Sequence, residues 1–305
     1  MPTYKEVSKI KSDFILKKEN AIKGTLNNQQ ENLFDKLLKE FIKQANDKIN
    51  GKETSTYQLQ NQFNKFYREN FNDVLKQNIA YSSSLTDLNQ MYFSTLMDSN
   101  RLDEIHNKTK ILVDKQLGID INGKLKQGGF TDKILGNQQS QKNFIKEVNK
   151  ILVGNPDINL MQNKLKEFII GSKNNTGILE SHYRNFSQDI LTGIDRSNSL
   201  VYANELDLQS FYYGGGLLTS SRSFCISKNG KIFSRAEAEK WKDSTFITSM
   251  YGKNITDYEP LINMGGPGCK HTPDWITQDI AKELKGENNI KAKEKNEAFK
   301  KRNNI

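Results

Sequence analysis

The rarer residue types of this chain are concentrated in one segment, residues 219–276. Both cysteines, both tryptophans, one of the three histidines and three of the five prolines lie in it. Such residues occur where backbone geometry or side-chain chemistry requires them, whereas the rest of the chain is rich in Asn and Lys with apolar residues at helical spacing. The sequence therefore predicts a mainly α protein, with long amphipathic helices followed by a small α+β C-terminal module that contains a short hairpin.

Apolar residues spaced three and four apart predict four helices in the first part of the chain. One begins near the N-terminus, a second covers about residues 28–50, and a third covers about residues 54–80. The three serines at 82–84 are expected to interrupt the pattern. A fourth helix follows them and runs towards Leu117.

This pattern divides the chain into four expected parts. Residues 1–117 form an N-terminal helical region, and residues 118–172 form a glycine-containing arm with short helices. Residues 173–280 contain a long helix over about residues 176–208 and then the module that carries the cysteines. Residues 281–305 form a basic tail.

Local motifs predict where several elements begin and turn. Thr3 with Glu6 is a capping box for the first helix, and Ser234 with Glu237 is a capping box for a short helix in the module. The Asn-Gly pair at 229–230 lies between apolar residues, which predicts the turn of the short hairpin.

A glycine-rich loop at residues 264–268 is expected to present two chemically active side chains. Cys269 and His271 follow this loop with one residue between them. Pro273 is then expected to precede a last helix that passes through Trp275.

The net charge of +9 favours anionic partners such as nucleic acid or an acidic protein surface. The clearest basic cluster lies at residues 282–302, with eight basic and four acidic residues. We expect a solvated helix end there, and contact with DNA is the alternative. The residues that would make that contact are Lys291, Lys293, Lys295, Lys300, Lys301 and Arg302.

The chain shows no pattern of membrane insertion or secretion. No apolar run approaches the roughly 20 residues that span a bilayer, and the first residues have no apolar signal core. Two cysteines in 305 residues do not make a disulfide framework, which favours a reducing compartment.

Three interpretations of the cysteines and the histidine stay open. Cys225, Cys269 and His271 are three credible zinc ligands, for which Asp274 or His182 would be the fourth. The two cysteines are alternatively joined by a disulfide. The third interpretation, in which no cofactor is expected, makes both cysteines small buried apolar residues.

A catalytic arrangement is a further alternative. Cys225 would be the nucleophile, His271 the base, and Arg222 the anchor for an anion. The spacing offers no third group to orient the base, so we prefer a structural role for Arg222, as a salt bridge or as a clamp on backbone carbonyls.

The segments SSRSFC, NGKIFS and GGPGCKH, followed by Pro and Trp, resemble the C-terminal signature of the Mu F-like minor head proteins, also called phage head morphogenesis proteins. The resemblance covers about residues 178–276. Gly268 and Lys270 stand where the family more often has Asn and Arg, and the Arg-Thr pair of the preceding helix has only a loose counterpart in Asp195 and Arg196. The residues on the signature are Arg222, Cys225, Gly230, Lys231, Cys269, Lys270 and His271, with Trp275 nearby.

The resemblance implies a low-copy structural protein of a tailed-phage head that acts in head assembly or in DNA packaging and ejection. The expected partners are the portal protein, the major capsid protein, packaged DNA and further copies of the chain. The expected location is the head interior or the portal vertex, and the host cytoplasm during assembly. The alternatives are a phage-encoded enzyme, nuclease or ADP-ribosyltransferase-like, that uses Arg222, Cys225 and His271, a DNA-binding accessory protein, or a bacterial helical protein unrelated to virions.

Overall fold

A computed structural model describes residues 2–98, 100–120, 126, 138–155, 157–181 and 190–304. Within these residues the chain is mainly helical, and a small three-stranded antiparallel sheet lies near the C-terminus. This confirms the predicted fold class, a mainly α chain with a small α+β C-terminal module. Residues 121–125, 127–137 and 156 of the predicted arm at 118–172, and His182 with the middle of the predicted helix 176–208, lie outside the described residues.

The first part of the chain forms long helices. These are α1 (Tyr4–Ile49), α2 (Tyr57–Ser94), α3 (Leu102–Leu117), α4 (Gln138–Gly154), α5 (Ile158–Ile169) and α6 (Ile190–Glu205). The module that follows alternates short helices and strands. Its elements are β1 (Ser210–Gly214), α7 (Ser223–Lys228), β2 (Ile232–Ser234), α8 (Arg235–Glu239), α9 (Thr245–Tyr251), α10 (Pro260–Asn263), β3 (Thr272–Ile276) and α11 (Gln278–Asn303), with 3-10 turns at Lys240–Asp243 and Gly252–Asp257.

Two predicted helix boundaries are wrong because the chain continues as a helix through them. The first and second predicted helices are one helix, α1, in which Gly24 is the only glycine and costs about 1 kcal/mol at most. The serines at 82–84 lie inside α2. Ser82 is fully buried there, and the Thr86 hydroxyl donates to its carbonyl oxygen at 3.0 Å, so this serine packs within the helix, while Ser83 is exposed.

The predicted fourth helix is also wrong, because the structure divides its residues between two helices, α2 and α3. α2 ends at Ser94, where the Thr95 hydroxyl donates to the carbonyl oxygen of Tyr92 at 2.7 Å. This bond gives a terminal carbonyl a side-chain partner. The next helix begins only at Leu102.

The chain divides into two compact units, each made of separate segments. Unit 1 contains Met1–Leu16, Tyr81–Val113 and Asp189–Ile305, and unit 2 contains Lys17–Ala80 and Asp114–Gln188. The division expected from the sequence followed chain order. Here the first residues of the chain belong to the same unit as the C-terminal module.

Unit 2 is held together by aromatic packing between helices. The rings of Phe63 and Phe144 stack at 4.2 Å between centroids, and Phe168 lies 6.2 Å from Phe144. Gln30 bridges two further segments, since its amide nitrogen donates to the carbonyl oxygen of Ile170 at 3.3 Å and its oxygen accepts the backbone N–H of Glu180 at 2.9 Å.

Unit 1 surrounds the sheet, which has the strand order β2-β1-β3. Phe211 on the central strand is paired with Phe233 on one side and Trp275 on the other. The Tyr92 hydroxyl donates to the carbonyl oxygen of Trp275 at 2.8 Å, and the ring of Phe93 stacks on Tyr202 at 4.5 Å. Tyr92 on α2 therefore joins an edge strand of the sheet to a helix from the first third of the chain.

The predicted hairpin at 229–230 is wrong, although the turn is present. The residues before it form α7 instead of a strand, and β2 pairs with β1, which lies before α7. Gly230 has a φ of +76°, and its N–H donates to the carbonyl oxygen of Tyr213 at 2.9 Å. The turn therefore connects helix α7 to the edge strand β2.

The predicted helix through Trp275 is also wrong. Residues Thr272–Ile276 form β3, the other edge strand, where Pro273 is tolerated because an edge strand has N–H groups that need no ladder partner. The last helix begins after Thr277, whose hydroxyl accepts the N–H of Ile280 at 3.4 Å.

The basic tail is a helix that packs on the module. α11 buries Ala281, Ala292 and Asn296. Asn289 on this helix accepts the N–H of Ile232 at 2.7 Å and donates to its carbonyl oxygen at 3.2 Å, which gives edge strand β2 side-chain hydrogen bonds. Among the helices of the described residues, none combines the length and the apolar character that crossing a bilayer requires.

Candidate functional site

The structure brings Cys225, Cys269 and His271 together in unit 1. Cys225 lies on α7, and the other two lie between α10 and β3. The sulfur atoms are 3.7 Å apart, and Nδ1 of His271 lies 3.7 Å from the sulfur of Cys269. The three residues are 3%, 4% and 3% exposed, respectively. The sequence predicted these residues as one set, and the fold makes them neighbours across 44 positions.

Gly265 allows the loop to lie directly over the sulfur atoms. A Cβ added at this position would overlap the sulfur of Cys225 and would lie 3.1 Å from the sulfur of Cys269. Gly266 has a φ of +86°, which glycine adopts without strain. The glycine-rich sequence is therefore explained by close backbone approach to the cysteines.

Two arginines hold this loop by its carbonyl oxygens. Arg222 donates from Nη1 to Gly265 at 2.8 Å and from Nη2 to Pro267. Of the two structural roles expected for Arg222, these contacts correspond to the carbonyl clamp.

Arg196 makes the second set of loop contacts. Its Nε donates to the carbonyl oxygen of His271 at 2.8 Å, its Nη1 to that of Ile262 at 2.9 Å, and its Nη2 to that of Cys269 at 2.6 Å. A guanidinium has five donors in a fixed fork, so it can bind three carbonyls at once.

The His271 ring is oriented by its other nitrogen. Nε2 lies 3.2 Å from Oδ1 of Asn229, and Nδ2 of Asn296 donates to the Asn229 carbonyl oxygen at 2.8 Å. If Nε2 donates to Asn229, Nδ1 carries the lone pair and faces Cys269. α11 therefore helps to set the tautomer of the histidine.

The cysteine pair is polarised. The hydrogen bond with Cys225 lowers the pKa of the Cys269 thiol, and His271 and Arg196 lower it further, against the effect of burial. The same hydrogen bond raises the pKa of Cys225, and burial adds to that increase. Of the two sulfurs, Cys269 is the one whose ionised form His271 and Arg196 favour.

Tyr213 completes the environment of the sulfur atoms. Its hydroxyl oxygen lies 3.7 Å from the sulfur of Cys225 and 3.9 Å from that of Cys269, and its ring centroid is 4.7 Å from that of His271. Burial raises the pKa of this phenol well above its usual value. Tyr213 sits on the central strand, so its position is fixed by the sheet.

The structure bears on the interpretations that the sequence left open. The two cysteines are not bonded to each other, since a disulfide requires sulfur atoms about 2.0 Å apart. Asp274 lies apart from the cluster, where it accepts hydrogen bonds from Ser8 at 2.5 Å and from Thr272 at 3.2 Å. Among the described residues, no carboxylate therefore joins Cys225, Cys269 and His271 as a fourth zinc ligand. His182, the other candidate for that position, lies outside the described residues.

The other signature residues frame the cluster. Gly230 makes the turn before β2, and the carbonyl oxygen of Lys231 accepts the N–H of Tyr213 at 2.8 Å. Trp275 is fully buried, and the guanidinium of Arg235 lies 4.4 Å above its ring. Lys270 between the two ligand candidates is half-buried.

The basic residues of the tail lie on α11. Lys291, Lys293, Lys295, Lys301 and Arg302 are exposed, and Lys300 is half-buried. Two of them pair with acidic residues of the same helix, Lys291 with Glu287, and Lys300 with Glu297 at 2.8 Å. The helix thus presents basic side chains among acidic ones.

Reasoning from the sequence missed four residues of the site. They are Arg196, Tyr213, Asn229 and Asn296. Arg196 stood out only as part of a loose match, and Asn229 only as a turn residue. Their roles depend on contacts between elements far apart in sequence. The one signal in the sequence was the adjacent charged pair Asp195 and Arg196 within a helix that carries apolar residues.

No protein-family model, no curated protein and no solved structure matches this chain.

Proposed function

We propose that this protein is a minor structural protein of a tailed-phage head, located at the portal vertex or inside the capsid. The observation that carries the proposal is the arrangement of the residues that resemble the head-morphogenesis signature. Arg222 is far from His271 in the sequence, yet it donates hydrogen bonds to the loop at 264–271, which ends in His271. In this proposal, the residues of the signature hold one loop against the small sheet.

The burial of these residues supports a structural role over a catalytic one. In the enzyme alternative, Cys225 would attack a substrate and Arg222 would bind an anion. Cys225 and His271 are almost completely buried, and the Arg222 donors at Nη1 and Nη2 are directed at loop carbonyls. A substrate would have to displace those contacts.

The helices and the charge support a role in assembly. Long helices expose large surfaces along which a portal protein, a major capsid protein or a second copy of the chain could pack. The net charge of +9 suits a protein near packaged DNA. These partners, and the virion location, are part of the proposal.

The direct test is the protein content of purified particles. Particles of the phage or prophage that carries the gene are separated into heads and tails, and each fraction is quantified by peptide mass spectrometry. We expect the protein in the head fraction, in fewer copies than the major capsid protein, and protected from added protease until the head is opened. Its absence from purified heads, with the portal protein present, would overturn the proposal.

Two paired variants separate the structural role from the enzyme. Arg222→Lys is introduced into the phage gene, with Arg101→Lys as the matched surface control. A structural role predicts that Arg222→Lys reduces the amount of protein incorporated into heads. The enzyme alternative predicts normal incorporation and a loss of infectivity.

The DNA-binding alternative has its own measurement. Lys293, Lys295 and Lys301 are replaced together by Gln, and retention of the purified protein on duplex DNA is measured at several salt concentrations. Binding that weakens steeply with salt and is lost in the triple variant would favour a DNA-binding accessory protein. Normal head incorporation of the same variant would show that assembly does not depend on these charges.

A further inference from the structure

We propose that Cys225, Cys269 and His271 bind one zinc ion, with the Tyr213 hydroxyl at the fourth coordination position. The proposal concerns the buried cluster itself and does not depend on the phage assignment.

The separations of the ligand atoms match tetrahedral zinc. With zinc–sulfur bonds of about 2.3 Å, tetrahedral geometry places two thiolate sulfurs about 3.8 Å apart. The sulfurs of Cys225 and Cys269 are 3.7 Å apart, and Nδ1 of His271 is 3.7 Å from the nearer sulfur. The three ligand atoms all lie within 4.8 Å of one another. One ion can therefore contact all three without rearrangement of the backbone.

We assign the remaining corner to the hydroxyl of Tyr213, which lies beside both sulfurs. It lies 3.7 Å from one sulfur and 3.9 Å from the other, which are again tetrahedral edge lengths. Tyr213 is fully buried on β1, so its hydroxyl is shielded from solvent.

The histidine already has the second contact that metal ligands require. A ligating imidazole almost always donates its other N–H to a carboxylate, carbonyl or water, which fixes the ring. Nε2 of His271 lies 3.2 Å from Oδ1 of Asn229, and Asn296 in turn donates to the Asn229 carbonyl. This chain of contacts directs Nδ1 towards Cys269.

The charge and softness of the ligands select the ion. Two thiolates and one imidazole are typical ligands of zinc, while hard cations such as magnesium and calcium prefer oxygen. Two buried thiolates without a cation would cost several kcal/mol each. A divalent ion balances them, and the guanidinium of Arg196, which donates to the Cys269 carbonyl oxygen at 2.6 Å, adds positive charge on that side.

The expected role of the ion is structural. It would link α7, the loop before β3 and the central strand β1, three segments of a small module with a thin core. Burial of all four residues leaves no coordination position open to a substrate.

The proposal is tested first on the unmodified protein. The full chain is expressed with added zinc, purified without chelators under reducing conditions, and analysed by native mass spectrometry and elemental analysis. We expect about one zinc ion per chain. Both cysteines should resist alkylation until a chelator removes the ion, and cobalt replacement should give thiolate-to-cobalt charge-transfer absorption. Protein that stays metal-free after zinc addition, or that contains a Cys225–Cys269 disulfide under these conditions, would overturn the proposal.

The variants assign the ligands. Cys225→Ser and His271→Ala should each reduce zinc content, whereas Lys270→Ala, which changes the residue between two ligands, should retain it. Tyr213→Phe keeps the ring in the sheet, so it should fold, and we expect zinc affinity to fall by at least about 10-fold, since loss of a partner outside the coordination sphere already costs that much. An unchanged zinc affinity of Tyr213→Phe would show that Tyr213 is not a ligand. If the cysteine variants do not fold, the resistance of the thiols to alkylation in the unmodified protein, before and after a chelator is added, still tests zinc binding.

Discussion

Nη2 of Arg196 lies 2.6 Å from the carbonyl oxygen of Cys269. The same guanidinium holds two further carbonyls, so one buried side chain on α6 fixes the loop that carries both Cys269 and His271. The position of the candidate site is therefore set by a residue that is not part of the cysteine–histidine cluster.

Replacement of Arg196 by Lys should destabilise unit 1 although the charge is kept. An ammonium group cannot reach three carbonyls in a fixed fork, and a lost hydrogen bond to a charged group costs about 1.5–3 kcal/mol. We expect a decrease of at least this size in the free energy of unfolding, measured by urea titration.

The matched control is Arg101→Lys, because Arg101 is also on a unit 1 segment but its side chain is 56% exposed and pairs with Glu205. A surface pair contributes about 0–1 kcal/mol, so this change should be small. Equal effects of the two substitutions would contradict the anchoring role of Arg196.

Gly265→Ala and Gly286→Ala should have opposite effects. A Cβ at Gly265 would overlap the sulfur of Cys225, and such overpacking costs about 1–3 kcal/mol. Gly286 lies within α11 with nothing within 4 Å of the added Cβ, so alanine there should stabilise by about 0.5–1 kcal/mol. Thermal unfolding followed by circular dichroism measures both. A neutral Gly265→Ala would show that the loop does not need this close approach.

The buried pair of Lys11 and Asp195 should be sensitive to removal of either charge alone. Lys11 Nζ lies 3.1 Å from Oδ1 of Asp195 and donates to Oδ1 of Asn89 at 2.9 Å, and both charged side chains are almost fully buried. Lys11→Met leaves a buried carboxylate without its cation, which costs about 3–5 kcal/mol. The double variant Lys11→Met with Asp195→Asn should recover part of this loss.

The exposed pair of Lys291 and Glu287 provides the comparison. Lys291→Met removes one partner of a solvent-exposed i,i+4 pair and should change the free energy of unfolding by less than about 1 kcal/mol. If Lys11→Met is no more harmful than Lys291→Met, the Lys11 contact does not stabilise the fold.

The sequence predicted local motifs well because they depend on few neighbouring residues. The capping box of Thr3 and Glu6 is present, with the Thr3 N–H donating to the Glu6 carboxylate at 2.7 Å. The capping box of Ser234 and Glu237 is also complete.

Predictions failed where the tertiary environment decides. Serine is a weak helix former in isolation, but Ser82 is fully buried and packed within α2. Trp275 follows a proline, which suggested a helix start, yet the sheet takes this segment as an edge strand. The contacts of Arg196 join residues more than sixty positions apart, and no local pattern predicts them.

Asn289 should control the protection of the β2 edge. Its side chain accepts the N–H of Ile232 and donates to the Ile232 carbonyl, so Asn289→Ala leaves both backbone groups without these partners. We expect faster hydrogen exchange at the Ile232 amide and a loss of about 1–3 kcal/mol. Lys293→Ala, an exposed substitution on the same helix, should leave that exchange rate unchanged. Unaltered exchange in Asn289→Ala would show that the edge is protected by other means.

Asp274 should make the stability of unit 1 depend on pH with a definite sign. Burial raises the pKa of this carboxyl, and the negative charge of Asp195 adds to the increase, whereas Lys11, Ser8 and Thr272 act against it. The folded state therefore favours the protonated form. The stabilisation is complete below the unfolded pKa of about 3.9 and is lost as the pH rises through the higher folded pKa.

Asp274→Asn cannot ionise, so it should not show this loss. We expect the free energy of unfolding of the unmodified protein, minus that of Asp274→Asn, to fall as the pH rises from about 4 towards neutrality. Urea titrations at several pH values measure this difference, and Asp257→Asn, at an exposed position, gives the reference slope. A difference that rises with pH instead would mean that Lys11 and the two hydroxyls outweigh burial, and that the folded state holds Asp274 as a carboxylate.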